Sequence, residues 1–254
     1  AVAFADEGVL LRERGITMPV VVLNADADSF DQMIANRLEP EIYSFRSLAD
    51  FADAVSHAGE TRYPVHIKLD TGMHRLGFME GEIGRLCEVL PTLPAVKVAS
   101  VFSHLNCADM PGEDAYTREQ IARYDRMSAA VAASLPYSVI RHTANSAAIE
   151  RFPEARFDMC RLGLGLYGFG WEHNAGLRPV SALKTRIVQI KRLEAGDAVG
   201  YGRAGKLLRP TVTATVPIGY ADGLDRHLGC GRWSMRVAAV SYTHLRAHET
   251  VLDL

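Results

Sequence analysis

The side chains best suited to acid–base or anion chemistry stand where apolar runs end. The stretch Pro64-Val65-His66-Ile67-Lys68-Leu69-Asp70-Thr71-Gly72-Met73-His74-Arg75-Leu76-Gly77 reads as a strand followed by a tight turn. Side chains alternate along a strand, so His66, Lys68 and Asp70 share one face while Val65, Ile67 and Leu69 share the other. The apolar row needs a covering layer. The charged row must point into something polar, because a buried, unpaired lysine is too costly. Charges at a strand's C-terminal end suit an enzyme barrel, whose active site is built there. Four more positions have similar promise. His104 ends an apolar run, and Ser146 follows Asn145 at a strand-to-helix junction. Arg161 lies within an apolar run, with Met159 and Gly163 on its face. Tyr220 follows a β-rich segment. Arginine stays charged throughout the usual pH range. Tyrosine, with a pKa of about 10, acts as a base at neutral pH only beside a positive charge or a donor.

Each of these has a bland alternative. Lys68 can pair with Asp70 or with another carboxylate across a barrel. Ser146 can be a plain N-cap. Arg161 can form a surface salt bridge, and Tyr220 can simply pack at a β-turn. His66, His74 and His142 read as satisfied polar groups near a barrel mouth, and Cys107 and Cys160 as thiols without a role.

The elements that must position these residues alternate. Residues 6–15 read as a short helix closed by Gly15, 19–24 as a doubly buried strand, 31–36 as a helix and 41–45 as a strand. A helix at 47–58 precedes the strand at 64–70. Helices at 82–90 and 113–135 flank a strand at 96–104. Strands at 139–145 and 157–167 enclose a helical turn at 146–151. Such alternation means βα units and a parallel sheet. Six strands plus the strand end at Ala1-Val2-Ala3-Phe4, with one missing first strand, predict a (β/α)8 barrel. After Pro179 the pattern becomes β-rich without helices. The expected division is an incomplete barrel at 1–178 and a truncated, mainly-β domain at 179–239. Residues 240–254 resemble the translated read-through of a sequencing adapter, so the two histidines there carry no metal reading.

Bulk properties narrow the classes. The chain has 254 residues, 48% hydrophobic and 23% charged, with a net charge of -2. Nothing there favours nucleic acid or an anionic membrane as partner. No apolar run is long enough to span a bilayer. The 4 cysteines show no CxxC pairing, which fits reduced thiols in the cytoplasm. No metal site is expected.

The motifs taken together resemble those of bacterial alanine racemase, a pyridoxal phosphate (PLP) enzyme with a barrel and a C-terminal β domain. They are Lys68 to Gly77, Phe102-Ser103-His104, Asn145-Ser146-Ala147, Arg161-Leu162-Gly163 with Tyr167-Gly168, and Ile218-Gly219-Tyr220-Ala221-Asp222-Gly223. The likeness is greatest to the form fused behind a muramoyl-peptide ligase domain. The resemblance implies roles residue by residue. Tyr220 would be one of two catalytic bases on opposite faces of the substrate, with His104 and Arg161 forming the network that activates it. Arg161 would donate to the PLP pyridine nitrogen without protonating it, leaving the ring a weaker electron sink. Asn145, Ser146, Gly163, Leu164 and Tyr167 would line the phosphate site, and Arg75 would meet the phenolic oxygen. Lys68 would be the candidate for carbamylation. Substrates would be L- and D-alanine, for peptidoglycan synthesis, and the enzyme a homodimer with shared sites.

The departures are equally specific. The family's Schiff-base lysine, its neighbouring phosphate tyrosine and a later Met-Asp segment have no match in this chain. The rival readings on the same fold are a broad-specificity racemase, a decarboxylase, and a non-catalytic PLP carrier, which is a lone barrel. Because one of the two bases is absent, the chain by itself is expected to show no racemase activity. Incubation of the purified chain with PLP and L-alanine checks this, and D-alanine formed above a PLP-only control would contradict it.

Overall fold

The computed structural model describes residues 1–171, 176–228, 235–237, 240–242 and 250–253. The chain divides into two compact units, Ala1–Val180 and Ser181–Leu254.

In the first unit, five parallel strands lie side by side in chain order: β1 (Val21–Val22), β2 (Glu39–Ile42), β3 (Tyr63–Lys68), β4 (Val96–Phe102) and β5 (Ile140–His142). The order never reverses, as in the wall of a barrel and unlike a doubly wound sheet. Val2 bridges Val22 in the same parallel sense, so the chain start adds a further stave beside β1. Helices α1 (Ala5–Glu13), α2 (Phe30–Ala35), α3 (Phe45–His57), α4 (Ile83–Val89), α5 (Asp114–Ala133) and α6 (Ser146–Arg151) alternate with the strands.

Helical spacing builds the covering layer. Ser44 caps α3 by accepting from the Ser47 amide at 3.1 Å, and the helix buries Leu48, Phe51, Ala52 and Val55. The long helix α5 buries Ile121, Tyr124, Met127 and Val131, and its Tyr124 hydroxyl donates to Val101 O at 2.8 Å. Val65, Ile67 and Leu69 are fully buried in the same core. Burying each such large side chain contributes about 1.5–3 kcal/mol.

The strand expected at 157–167 is absent. Asp158 N donates to Arg141 O and Arg161 N to Ala144 O, at 3.0 and 2.9 Å. These bonds are spaced by three residues on each side, whereas a regular ladder repeats every two. The segment is therefore tethered beside β5 without alternating, and Met159, Arg161 and Gly163 do not form a strand face. Residues Leu164–Tyr167 form a 3-10 helix that ends at Gly168, where φ is +88°.

The turn after β3 is tied at both ends. Asp70 N donates to Phe78 O and Phe78 N to Lys68 O, both at 2.9 Å. Gly77 has φ +129°, and a Cβ there would come within 2.6 Å of Asp70 N. Only glycine lets the returning chain pass so closely. The Asp70 carboxylate accepts from the amides of Gly72 and His74 at 2.9 and 3.0 Å. Burial opposes its charge, but these amides together with the His74 side chain outweigh burial and hold its pKa below the ordinary value.

The second unit is β-rich as expected. Strand β6 (Gln189–Leu193) pairs antiparallel with β9 (Thr211–Val216), and β7 (Ala198–Val199) with β8 (Gly205–Lys206). Residues 181–188, ahead of β6, lie outside any strand. Strands β10 (Met235–Val237) and β11 (Val240–Tyr242) pair with each other, and β12 (Thr250–Asp253) pairs with β9. Of the segment read as adapter, 243–249 and 254 lie outside the described residues.

Candidate active site

Lys68, the last residue of β3, is buried and donates to Glu41 Oε1 on β2 at 3.1 Å. Asp70 is occupied by its own turn, so Lys68 finds its partner one strand away. The ammonium also lies 4.6 Å from the centre of the Phe102 ring, a cation–π contact. Burial pulls the Lys68 pKa down, with the Glu41 charge opposing. Burial likewise pushes Glu41 up, with Lys68 opposing. Sequence reasoning passed over Glu41 as one residue of a strand. A signal was present: Glu39 and Glu41 alternate on one face of β2, next to the face that carries Lys68.

Arg161 is half-buried and held by five hydrogen bonds. Nη1 donates to His142 Nδ1 at 2.8 Å and His142 O at 3.3 Å. Nη2 donates to Ser103 O at 2.6 Å, Thr143 O at 3.2 Å and His104 Nδ1 at 3.3 Å. Its guanidinium carbon is 5.4 Å from the Phe102 ring centre, and His142 stacks on that ring at 5.0 Å. The planar fork, unlike an ammonium, satisfies several fixed acceptors at once. Burial, followed by the charge of Arg161, lowers His104 to about 4 and His142 to about 3. Both imidazoles are thus neutral at neutral pH, and each offers Nδ1 as an acceptor to Arg161. His104 can act as a hydrogen-bond donor through Nε2 but does not supply a positive charge. Burial also brings Arg161 down to about 10, which still leaves it charged at neutral pH.

Ser146 opens α6, but the N-cap is Asn145, whose Oδ1 accepts from Ala148 N at 3.0 Å. The Asn145 amide donates to Leu105 O at 3.0 Å, so both its polar ends are used in fixing this junction. That leaves the Ser146 hydroxyl to face the next loop. Ser146 Oγ accepts from Gly163 N at 3.0 Å and Gly165 N at 3.2 Å. Two backbone donors converge on one oxygen, the arrangement that suits an anion. The second of these donors to Ser146 is Gly165. Leu164 and Tyr167 are exposed, as is Arg75 in the turn after β3. Tyr220 belongs to the second unit, where it begins a 3-10 helix ended by Gly223 at φ +94°; it is 39% exposed.

These donors fit PLP. The converging amides beside Ser146 match a phosphate, and the Arg161 guanidinium matches a ring nitrogen it can donate to. Lys68, Arg75 and Arg161 each act on His104, so the strand ends carry a positive field suited to a multiply anionic ligand.

The Lys68–Glu41 pair yields a stability prediction. Glu41→Gln leaves a buried ammonium without its counter-charge and is expected to cost about 3–5 kcal/mol, as broken buried pairs do. Glu41→Leu combined with Lys68→Met removes both charges and is expected to recover most of that loss. Chemical denaturation followed by circular dichroism checks both. A single-variant loss below about 1 kcal/mol would mark the pair as a solvated one.

Comparison with known proteins bears on the family. The family pattern described as "Alanine racemase, N-terminal domain" matches residues 1–170, and "Alanine racemase, C-terminal domain" matches 180–245. Alanine racemase of Symbiobacterium thermophilum is 38% identical over 235 residues, covering 89% of this chain and 61% of that protein. The chain spans about three fifths of the length of the curated relatives it matches. The structure of alanine racemase from Streptomyces coelicolor A3(2) superposes with TM-score 0.88 at 27% identity, covering 99% of this chain and 70% of that one. Alanine racemase from Bartonella henselae, solved with covalently bound pyridoxal phosphate, shares the fold at TM-score 0.82 and 24% identity, covering 99% of this chain and 70% of that one. Sequential parallel strands, a β-rich second unit and two family matches in the same order agree, and this chain belongs to the alanine racemase family.

Proposed function

We propose that the chain forms the barrel and part of the β domain of a PLP-dependent alanine racemase that interconverts L- and D-alanine for peptidoglycan synthesis in the cytoplasm. The family depends on PLP. The observation that carries the reading is the setting of Arg161, a fixed cation held only by neutral acceptors at the strand ends. When bound, PLP withdraws electron density from the substrate's α-carbon and so acidifies its proton. Arg161 holds its proton too firmly to transfer it to a ring nitrogen, so it stabilises by donation alone. Ser146 with the amides of Gly163 and Gly165 would bind the phosphate, and Asn145 fixes that junction. Arg75 would orient on the phenolic oxygen.

Lys68 has two candidate states. As a carbamate it would supply the anion that orients Arg75. As an ammonium it stays paired with Glu41 at 3.1 Å.

Racemisation needs a base on each face of the α-carbon. Tyr220 would serve one face, its proton loss assisted by donors at the site. The base on the other face would be the family's lysine, which this chain does not carry. A PLP carrier is a lone barrel, and the match of 180–245 to a family C-terminal domain speaks against it. No helix among the described residues is long and apolar enough to cross a membrane.

In a protein of the relatives' full length carrying these residues, Tyr220→Phe is expected to slow α-proton exchange from one enantiomer at least ~100-fold, the range of a lost general base. Exchange from the other should change far less. Deuterium exchange from L- and D-alanine measured separately checks this, and equal loss in both would make Tyr220 a positioning group.

Homodimers with crossed sites follow from the same reading, each β domain capping its partner's barrel. Mixing a Tyr220→Ala subunit with one whose cofactor-bearing lysine is replaced, each inactive alone, should restore up to half the activity of the unmodified dimer. A mixed dimer that forms yet stays inactive would place the whole site within one chain.

A further inference from the structure

One polar residue from each of four neighbouring strands lines up with Arg161. His142 on β5 accepts from Arg161 at 2.8 Å through Nδ1. His142 Nε2 meets Ser100 Oγ on β4 at 3.0 Å. The same oxygen meets His66 Nδ1 on β3 at 2.6 Å. His66 Nε2 meets Glu39 Oε2 on β2 at 2.7 Å. His66, Ser100 and His142 are buried, and the Glu39 side chain is 14% exposed.

The register that aligns them is not the default one. Val65 lies opposite Val98, yet His66 lies opposite Ser100, so β4 carries an extra residue, Ala99, at a bulge. Without that bulge His66 would face Ala99, and the row would be broken at its centre.

Among the described residues, no carboxylate takes a hydrogen bond from Arg161. Every group its guanidinium donates to is neutral: two imidazole nitrogens and three backbone carbonyls. The charge of Glu41 reaches Arg161, but its hydrogen bond goes to Lys68. Glu39 is the next carboxylate along β2, at the far end of the row.

We propose that Arg161, His142, Ser100, His66 and Glu39 form a one-way hydrogen-bond relay in which Glu39 is the remote counter-ion that fixes the Arg161 guanidinium. The direction follows from donor counting. Arg161 can only donate, so His142 Nδ1 accepts and its single proton sits on Nε2. That proton goes to Ser100 Oγ. The Ser100 hydroxyl proton is then free to go to His66 Nδ1, which leaves the His66 proton on Nε2, donated to the Glu39 carboxylate. Each bond polarises the next in the same sense, so a negative charge at one end strengthens the hold at the other. For catalysis the consequence rests on the racemase reading: Glu39, His66, Ser100 and His142 become positioning residues for the group that meets the ring nitrogen. The rival arrangement is local. His66 as an imidazolium would donate to both Ser100 and Glu39, the serine would have no proton acceptor in the row, and the relay would stop there.

The test uses the full chain, labelled with nitrogen-15 in its histidine rings, with one-bond and long-range proton–nitrogen correlations at neutral pH and no cofactor needed. The relay requires His66 and His142 both neutral and both protonated on Nε2. A His66 imidazolium, or a proton on Nδ1 of either ring, overturns it. The isosteric Glu39→Gln keeps an acceptor for His66 but removes the charge. It is expected to move the His142 Nδ1 resonance toward that of a nitrogen with no donor, although the two residues are not in contact. That displacement should vanish when Ser100→Ala cuts the row and return with Ser100→Thr. A folded Glu39→Gln chain with an unmoved His142 signal overturns the proposal. If the substitutions prevent folding, the tautomers of the unmodified chain decide alone. None of these outcomes depends on turnover, so a failed relay is distinguishable from a failed racemase reading.

Discussion

Two cations, Lys68 and Arg161, lie at the C-terminal ends of the barrel strands, in contact with the same Phe102 ring. Removing them from water is costly unless their charge is matched nearby. The surrounding structure answers that demand in two ways. Lys68 has a direct carboxylate on the adjacent strand. Arg161 has a ring of neutral acceptors, drawn from three backbone carbonyls and two histidines that its own field helps to keep unprotonated. The two solutions differ because the side chains differ. An ammonium concentrates its charge at one point and takes one anion, whereas a planar fork spreads over several fixed oxygens and nitrogens.

The rest of the barrel end is arranged so that these acceptors stay put. Asn145 caps α6 and ties it to Leu105, which fixes the direction in which the chain leaves β5. The tether of 158 and 161 to β5 sets the distance of Arg161 from His142. The turn after β3 is closed by Gly77 and by the Asp70 carboxylate, so Arg75 is held on a short, defined loop. Ser146 then brings the Gly163 and Gly165 amides to one point. The guanidinium and the two converging amides thus sit on rigid supports, which hold the geometry of a site better than loops alone.

Much of this was legible from the residues alone. Hydrophobic periodicity is a local property, so the alternation of strands and helices, the burial of Val65, Ile67 and Leu69, and the β-rich second unit could be read from neighbours in the chain. Motif residues could be placed at strand ends for the same reason. The motif at Lys68 to Gly77 even carried its own turn chemistry, because only glycine admits the close return at position 77. The segment 157–167 reads as a strand from its apolar content, yet it does not form one. Its glycines and the three-residue spacing of its tethers to β5 prevent a ladder, and neither effect is visible in apolar content.

What the sequence by itself determined was which residues share a face and in what order the elements follow. Only the tertiary structure decided which face meets which. Lys68 pairs with Glu41, 27 positions away, and not with Asp70 two positions on. His66 reaches Glu39, 27 positions away, and Ser100, 34 positions away; it faces Ser100 only because the bulge at Ala99 shifts the β3–β4 register. Alternation fixes the face of each side chain, but the neighbour across a sheet depends on register. Register is set by packing of the whole wall, which no local pattern encodes.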